Sequence, residues 1–268
     1  MHEGTKPDYK NWVPCGLIWA LGSGTALCLI LLFTLISTDF AGSFPALRSA
    51  LSAALALLFA VLLFFTCWMS WLHASFDFNG KKQTARRIIE GVAQYVTLPD
   101  GGLGLDVGCG SGALTIACAK RNPHAKMLGI DCWGKDYQSF SQALCEQNAR
   151  AEGAAAVSFC KGDAVRLDFA DGSFDAVTSN YVYHNIHGRK KQDLLRETLR
   201  VLKKGGVFAL HDIMSKGTFG DMEDFARQLQ KEGCEQVELI RTTQGLFLSK
   251  NEAWKLGLKD SVLLFGRK

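Results

Sequence analysis

The sequence predicts an α/β fold, a seven-stranded sheet with helices on both faces, preceded by a two-helix transmembrane hairpin. Three observations predict it. Two long apolar runs without a charged residue lie near the N-terminus. From residue 77 onward, short apolar runs alternate with amphipathic helical stretches, and a glycine-rich loop follows the first of those runs. With 48% hydrophobic and 21% charged residues, a disordered chain is excluded.

The first apolar run extends from Trp12 to Thr38 and the second from Ser49 to Leu72. About 20 apolar residues cross the hydrocarbon core of a bilayer as a helix, so we expect spans at about 13–36 and 49–72. Trp68 and Trp71 suit the interface at the end of the second span. Two alternatives fit less well. A cleaved signal peptide has a shorter apolar region, and buried helices of a soluble core rarely reach this length without a charge.

The flanking charges predict the orientation of the hairpin. Lys6 and Lys10 precede the first span, and a basic run from Lys81 to Arg87 follows the second. The positive-inside rule then places both ends in the cytoplasm. We therefore expect a cytoplasmic tail at 1–12, a multi-pass membrane hairpin at 13–76 and a cytoplasmic catalytic domain at 77–268. The basic run has a second interpretation, attraction to anionic lipid.

The alternating pattern after residue 77 predicts seven strands and five helices. The strands are expected at 104–107, 126–130, 157–161, 176–179, 207–211, 237–241 and 261–266. The helices are expected at 84–95, 112–122, 137–152, 191–201 and 221–233. Lys203-Lys204-Gly205-Gly206 is typical of a helix stop, with the next strand beginning at Val207.

Charge and cysteine content exclude some functions. A net charge of +4 does not favour nucleic-acid binding. The nine cysteines form no C-x-x-C pair, so we expect free thiols and no metal site.

The glycine-rich loop is the most informative segment. It reads Gly104-Leu-Asp-Val-Gly-Cys-Gly-Ser-Gly112, with glycines at 108, 110 and 112. Glycines at the end of a strand let the backbone approach a ligand, and the following helix offers free N–H groups. Dinucleotide-binding loops instead read G-x-G-x-x-G. Asp106 just before the loop would also repel a pyrophosphate, so a cofactor with a positive or zwitterionic group fits better.

Carboxylates end three consecutive strands. Asp131 follows the second and can accept hydrogen bonds from ribose hydroxyls, and Asp163 follows the third, within reach of an adenine amino group. Any one of the three, Asp106 included, is explained as a helix cap or turn residue. All three together favour a ligand site, because ligands of such sheets gather at the carboxyl ends of the strands.

These motifs, with Gly162-Asp163-Ala164 and Phe174–Tyr181, resemble the successive motifs of class I S-adenosylmethionine-dependent methyltransferases over roughly residues 84–268. The closest likeness is to the small-molecule and quinone subgroup. The resemblance implies an antiparallel last strand and S-adenosylmethionine as methyl donor. It also implies that Asp106 lies near the methionine amino group, that Asp131 binds ribose, and that Asp163 and Ala164 contact adenine. The other expected cofactor-binding residues are Gly108, Cys109, Gly110, Gly112, Cys132 and Asn180.

The segment 180–187 follows the fourth strand and is expected beside the donor methyl. Tyr181, Tyr183 and His184 are candidates to position or deprotonate an acceptor, and His211 at the end of the fifth strand is a second candidate base. Packing over the cofactor is the alternative for the two tyrosines, and His211 can equally cap a helix or contact substrate.

We therefore expect a membrane-anchored methyltransferase that acts on a small, lipophilic acceptor, with the bilayer as partner. A non-catalytic, cofactor-binding scaffold or sensor is the alternative, with Gly22, Ser23 and Gly24 as a small-residue face for another membrane protein. A nicotinamide oxidoreductase is disfavoured by the glycine spacing. Methylation of nucleic-acid amino groups is disfavoured because Asn-Tyr-Val-Tyr follows the fourth strand in place of an Asn/Asp-Pro-Pro-aromatic motif.

Overall fold

The structure is a computed structural model that describes residues 6–38, 44–134 and 139–268. The chain divides into two compact units. One is Asn11–Ala85, and the other combines a stretch ending at Lys10 with Arg86–Lys268. The first unit is therefore an insertion in the sequence of the second. The boundaries expected at 12/13 and 76/77 remain predictions.

The first unit contains two helices, α1 (Cys15–Ser37) and α2 (Pro45–Phe76). Proline at the first position of α2 suits a helix start, because its missing N–H would have no partner there. The hydroxyls of Thr25 and Thr66 lie 3.1 Å apart and join the two helices. The Arg48 side chain donates to the carbonyls of Leu35 and Ile36 at 3.2 and 2.7 Å, which satisfies the C-terminus of α1.

Both helices are long and apolar enough to cross a membrane, by length and composition. Their outward faces carry large apolar side chains, with Trp19 76% and Phe33 70% exposed. Further exposed apolar side chains on this unit are Leu17, Leu27, Leu29, Ile30, Leu31, Ile36, Phe44, Leu47, Leu51, Leu57, Leu58, Val61, Leu63, Phe64, Phe65 and Trp68. A surface of this kind suits hydrocarbon better than water.

The second unit is built on a seven-stranded sheet of order β3-β2-β1-β4-β5-β7-β6. The strands are β1 (Leu103–Val107), β2 (Lys126–Asp131), β3 (Val157–Lys161), β4 (Phe174–Asn180), β5 (Leu202–Ile213), β6 (Gln236–Arg241) and β7 (Ser261–Arg267). The first five are parallel, and β7 runs antiparallel to both of its neighbours. The predicted seven-stranded sheet and its antiparallel last strand are confirmed.

The helices that follow the hairpin are α3 (Thr84–Ala93), α4 (Ala113–Arg121), α5 (Gln142–Ala151), α6 (Lys191–Arg200), α7 (Lys216–Phe219), α8 (Met222–Lys231) and α9 (Lys250–Lys255). All five predicted helices are present. Tyr137, the expected start of the third, lies outside the described residues, and α5 begins at Gln142. The short helices α7 and α9 and a 3-10 turn at Tyr183–Asn185 were not predicted.

The predicted helix stop at Lys203–Gly206 is partly wrong. The helix ends at Arg200, and Lys203–Gly206 already belongs to β5, which starts at Leu202. The register between β4 and β5 shifts between Phe174 and Ala176, and Gly205 has φ +75°. An irregular strand start therefore has the same sequence signal as a helix stop, cations followed by glycine.

The core of this unit lies between the central strands and the helices α6 and α8. Leu105 of β1, Val177 of β4 and Phe208 of β5 are fully buried there with Leu195 and Phe225. A rigid core of this kind fixes the carboxyl ends of β1, β2, β4 and β5 along one edge of the sheet. The candidate residues for binding and catalysis lie in the last residues of strands β1, β2, β4 and β5 or in the segments that follow β1 to β4.

Candidate active site

The glycine loop after β1 turns through three left-handed residues, with φ values of +74° at Gly108, +57° at Gly110 and +82° at Gly112. L-residues with a side chain rarely adopt such angles. A Cβ at Gly108 would lie 2.3 Å from Val182 Cγ2, so the loop packs tightly against the segment after β4. At Gly110 no protein atom lies within 4 Å of a Cβ position. The loop thus presents bare backbone on its outer side.

The end of β2 holds the middle of this loop. Asp131 Oδ2 accepts the Gly110 N–H at 2.8 Å, and Oδ1 accepts the Trp133 N–H at 2.8 Å. The Trp133 indole N–H donates to the Gly110 carbonyl at 2.9 Å, and the Cys145 thiol donates to the same carbonyl at 3.2 Å. Gly110 is thereby fixed on both sides of its backbone. The roles of Trp133 and Cys145 were not predicted, because nothing in their spacing points to this carbonyl.

Asp106 lies beneath the loop and is 1% exposed. Its Oδ2 accepts a hydrogen bond from the Thr115 hydroxyl at 2.6 Å. Burial, helped by the charge of Asp131, raises the pKa of this carboxyl from 3.8 to about 7, against the opposing effect of the Thr115 hydrogen bond. A carboxylate in this setting favours a cation beside it.

The remaining candidates for cofactor contact differ in their surroundings. Asp163 is exposed, and its Oδ1 accepts the Val165 N–H at 2.8 Å, as in a turn. Ala164 is partly buried beside it, and Cys132 is exposed after β2. Cys109 is buried within the glycine loop, and its burial raises the pKa of the thiol. The assigned contacts of these residues with a cofactor remain predictions.

At the ends of β4 and β5, Asn180 and His211 are paired in register, and Asn180 Oδ1 lies 2.7 Å from His211 Nδ1. The other ring nitrogen of His211 lies 2.9 Å from the Thr242 hydroxyl. The ring is fully buried, and burial lowers its pKa to about 3. With both nitrogens bonded and its charged form disfavoured, His211 is poorly suited to accept a proton from a substrate. These contacts favour a positioning role.

Tyr181 follows the last residue of β4 and has φ +56°, a backbone conformation that residues other than glycine rarely adopt. Its hydroxyl lies 2.8 Å from the Ser261 hydroxyl, and its ring centroid lies 4.8 Å from that of His211. Burial raises the pKa of the phenol, which therefore stays protonated. Tyr181 can orient a ligand through its ring or hydroxyl, but it is a weak source of a phenolate base.

His184 forms a dyad with Asp212, a residue that was not predicted as part of the site. His184 Nδ1 lies 2.6 Å from Asp212 Oδ1, and Asp212 is fully buried at the end of β5. The same carboxylate accepts the N–H groups of Tyr183 and Ile213 at 2.8 and 2.7 Å. In the tautomer in which His184 Nδ1 donates to Asp212, Nε2 is the acceptor nitrogen of the ring. The imidazole is 27% exposed, so Nε2 can meet a ligand.

Comparison with known proteins agrees with this geometry. Residues 105–210 match the family described as methyltransferase domain. Sterol 24-C-methyltransferase of Aspergillus fumigatus is 28% identical over 169 residues, 62% of this chain and 43% of that protein. Demethylmenaquinone methyltransferase of Lactobacillus johnsonii is 35% identical over 107 residues, 40% of this chain and 41% of that protein. The chain therefore spans less than half the length of these two relatives.

Among solved structures, the [4+2]-cyclase SpnF is similar with a TM-score of 0.53 and 22% identity. The match covers 72% of this chain and 85% of that one. At this level of identity the likeness concerns the fold alone, and the reaction of a chain with this fold has to be argued from its site.

The sheet order, the glycine loop and the two acidic strand ends define a Rossmann-like domain for a cofactor with a cationic group. The match of residues 105–210 to a methyltransferase domain supports S-adenosylmethionine as this cofactor. The residues present fit this molecule. A buried carboxylate at Asp106 suits its ammonium group, the Asp131 carboxylate suits hydroxyl donors, and the bare backbone at Gly110 permits close approach.

Proposed function

We propose that this protein is a membrane-anchored methyltransferase that methylates a small, lipophilic acceptor whose attacking atom arrives protonated. The observation that carries the proposal is the His184–Asp212 dyad at the carboxyl edge of the sheet, next to the glycine loop. A histidine whose Nδ1 is held by a buried carboxylate is the arrangement that a general base needs.

The cofactor is held by the loops after β1 and β2. Asp106 would pair with the ammonium group of the methionine moiety, and Asp131 would accept hydrogen bonds from the ribose hydroxyls. Asp163 and Ala164 would border the adenine, and Cys132 and Asn180 would complete the surroundings. Bound there, S-adenosylmethionine would supply an electrophilic methyl group.

The chemistry asked of the protein is then proton removal and alignment. His184 Nε2 accepts the proton of the acceptor, and Asp212 stabilises the imidazolium that results. Asp212 also keeps the ring in the tautomer that this step needs. Tyr181 and His211 position the acceptor, since the ring centroid of Tyr181 lies 4.8 Å from that of His211 and 6.2 Å from that of His184.

The class of acceptor is inferred from two independent features. Relatives of this domain are named for sterols and for demethylmenaquinone, both lipophilic molecules. The hairpin of α1 and α2 adds an apolar surface of the length that a bilayer requires. The flanking lysines and arginines favour a cytoplasmic catalytic unit, with both ends of the hairpin on that side.

The test uses the full chain in lipid nanodiscs, with demethylmenaquinone chemically reduced to its quinol and a sterol as trial acceptors, and labelled methyl transfer as the readout. We expect His184→Asn to lower kcat by about 10²–10⁴-fold, the usual contribution of a general base. The dissociation constant of S-adenosylmethionine should stay the same. His187→Asn is the matched control, because His187 is an exposed histidine of the same segment.

Two results would contradict the proposal. Undiminished turnover by His184→Asn would show that the dyad takes no part in the reaction. If calorimetry finds no binding of S-adenosylmethionine to the folded wild type, the protein is not a methyltransferase and the scaffold alternative is favoured.

A further inference from the structure

The catalytic unit is the second of the two compact units, the stretch ending at Lys10 together with Arg86–Lys268. We propose that it has its own membrane-binding surface at the edge of the sheet that carries the His184–Asp212 dyad. This surface, the α9 surface, consists of Leu246, Lys250, Trp254, Lys255 and Lys259. Its partner is the headgroup region of an anionic lipid bilayer. The inference rests on the proposed function, because it assigns the side from which a bilayer-borne acceptor reaches the site.

The register of the sheet places this surface beside the dyad. Val262 of β7 is opposite Asp212 of β5 on one side and opposite Arg241, the last residue of β6, on the other. The connection 242–260 therefore leaves the sheet at the edge where Asp212 holds His184. The α9 surface lies entirely within this connection.

The same connection contacts the site directly. The Thr242 hydroxyl lies 2.9 Å from His211 Nε2, and the Phe247 ring centroid lies 5.5 Å from that of His211. Phe247 is buried, whereas its neighbour Leu246 is 51% exposed. One short loop thus forms part of the wall of the site and also presents an apolar side chain outward.

The exposure of Trp254 is unusual for a tryptophan. Among the described residues outside the hairpin unit, Leu246 and Trp254 are the exposed large apolar side chains, and Trp254 is 73% exposed. The helix that carries it is firmly attached. Its start is a capping box between Ser249 and Glu252, Arg87 pairs with Glu252 at 2.9 Å, and Ala253 is buried. Trp254 is therefore held outward by a fixed element.

Charge decides which partner this surface fits. Lys250 and Lys255 of α9 and Lys259 after it are all exposed. The Glu252 carboxylate of the same helix accepts hydrogen bonds from Arg87 and from the Ser249 N–H, so its charge is paired with that of Arg87. Tryptophan prefers the boundary between hydrocarbon and headgroups, and lysines beside it are attracted to anionic lipid. An exposed indole among unpaired lysines has the chemistry of a bilayer interface.

The experiment measures the fluorescence of single tryptophans in the full chain. Nanodiscs that contain phosphatidylserine are prepared with and without lipids brominated near the headgroup end of the acyl chains, since bromine quenches tryptophan on contact. The spectrum of the wild type minus that of Trp254→Phe gives the emission of Trp254. We expect a loss of roughly half of it in brominated discs, as for an indole in the interface. Lys250→Glu combined with Lys255→Glu and Lys259→Glu should abolish most of this loss.

Two further tryptophans separate this inference from the proposed function. Trp19 on α1 is 76% exposed and reports insertion of the hairpin, whereas Trp133 contacts the glycine loop and should be insensitive to bromine. Quenching of Trp19 without quenching of Trp254 overturns the α9 surface and leaves the anchor in place. Absence of quenching at Trp19 overturns the anchor itself. Protection of Trp254 from aqueous acrylamide without bromine quenching points to a protein or a second copy as occupant, which also overturns the inference.

Discussion

At the scale of single residues, we expect Asp106 to make the binding of S-adenosylmethionine depend on pH. Burial raises the pKa of its carboxyl to about 7, so the protein without cofactor holds a proton there below pH 7. A cationic ligand is attracted by the ionised carboxylate and not by the protonated carboxyl of Asp106. We expect the dissociation constant to fall about tenfold per pH unit from pH 5 to about 7 and to level off above it. Calorimetry over this range measures the slope.

The Asp106→Asn variant should bind S-adenosylmethionine more weakly, and its dissociation constant should no longer change with pH. The Asp163→Asn variant, changed at an exposed turn, should keep the pH dependence of the wild type. If the pH dependence of the dissociation constant persists in Asp106→Asn, the proton belongs to another group.

The Asp106 carboxyl also makes the free energy of unfolding depend on pH, with a definite sign. Because its folded pKa is raised, the stability without cofactor decreases as pH rises from about 4 to 7.

The residues of the site were predictable only where they follow a strand in a recognisable motif. Asp106, Asp131 and the glycines were found in this way, and the structure places them together. Asp212 was missed although it is next to His211, because successive strand residues alternate in direction and the sequence does not tell which one faces the segment after β4. The local sequence of His211 gives no sign that Asn180 and Thr242 occupy its nitrogens.

At the scale of elements, Asn148 of α5 joins two distant segments. It is fully buried, and its Nδ2 donates to the carbonyls of Asp8 and Ser111 at 2.9 and 3.0 Å. Its Oδ1 accepts the Asp8 N–H at 2.7 Å. The glycine loop and the N-terminal stretch are thus held by one amide.

Removal of this amide should weaken both segments. We expect Asn148→Ala to lower the free energy of unfolding by about 1–3 kcal/mol, since it leaves buried backbone groups without partners. S-adenosylmethionine should also bind less tightly, because Ser111 belongs to the glycine loop. Denaturant unfolding and calorimetry measure the two effects. Gln147→Ala on the exposed side of α5 should change neither one.

Elements with strong periodicity were predictable, and short or irregular ones were not. The seven strands and five long helices follow from alternating apolar runs, and their ends differ from the predictions by a few residues. Helix α9 has only six residues, too few for a periodic pattern, and depends on its capping box and on Arg87. β5 begins earlier than predicted because Leu202 pairs with Phe174 of β4. A pairing between distant residues cannot be recognised from the local sequence.

At the scale of the whole molecule, the division into units determines which deletion is informative. Tyr9 is 6% exposed and belongs to the catalytic unit, although it precedes the hairpin. We expect a chain truncated before Arg86 to lose several kcal/mol of stability with this aromatic residue. A variant that replaces 11–85 by a flexible linker should retain the stability of the catalytic unit and its affinity for S-adenosylmethionine. Thermal unfolding and calorimetry compare the two.

The two variants also separate anchoring from catalysis. The linker variant should methylate an acceptor offered in detergent at the rate of wild type, and should be slower with the same acceptor in vesicles. Equal rates in vesicles would show that the hairpin does not assist access to the acceptor. Equal stability of the two variants would show that the stretch around Tyr9 is dispensable.

The chain passes between the two units twice, after Lys10 and before Arg86. A single break of the backbone at 85/86 would therefore leave Arg86–Lys268 joined to the rest of the protein by noncovalent contacts, such as those between Asp8 and Asn148.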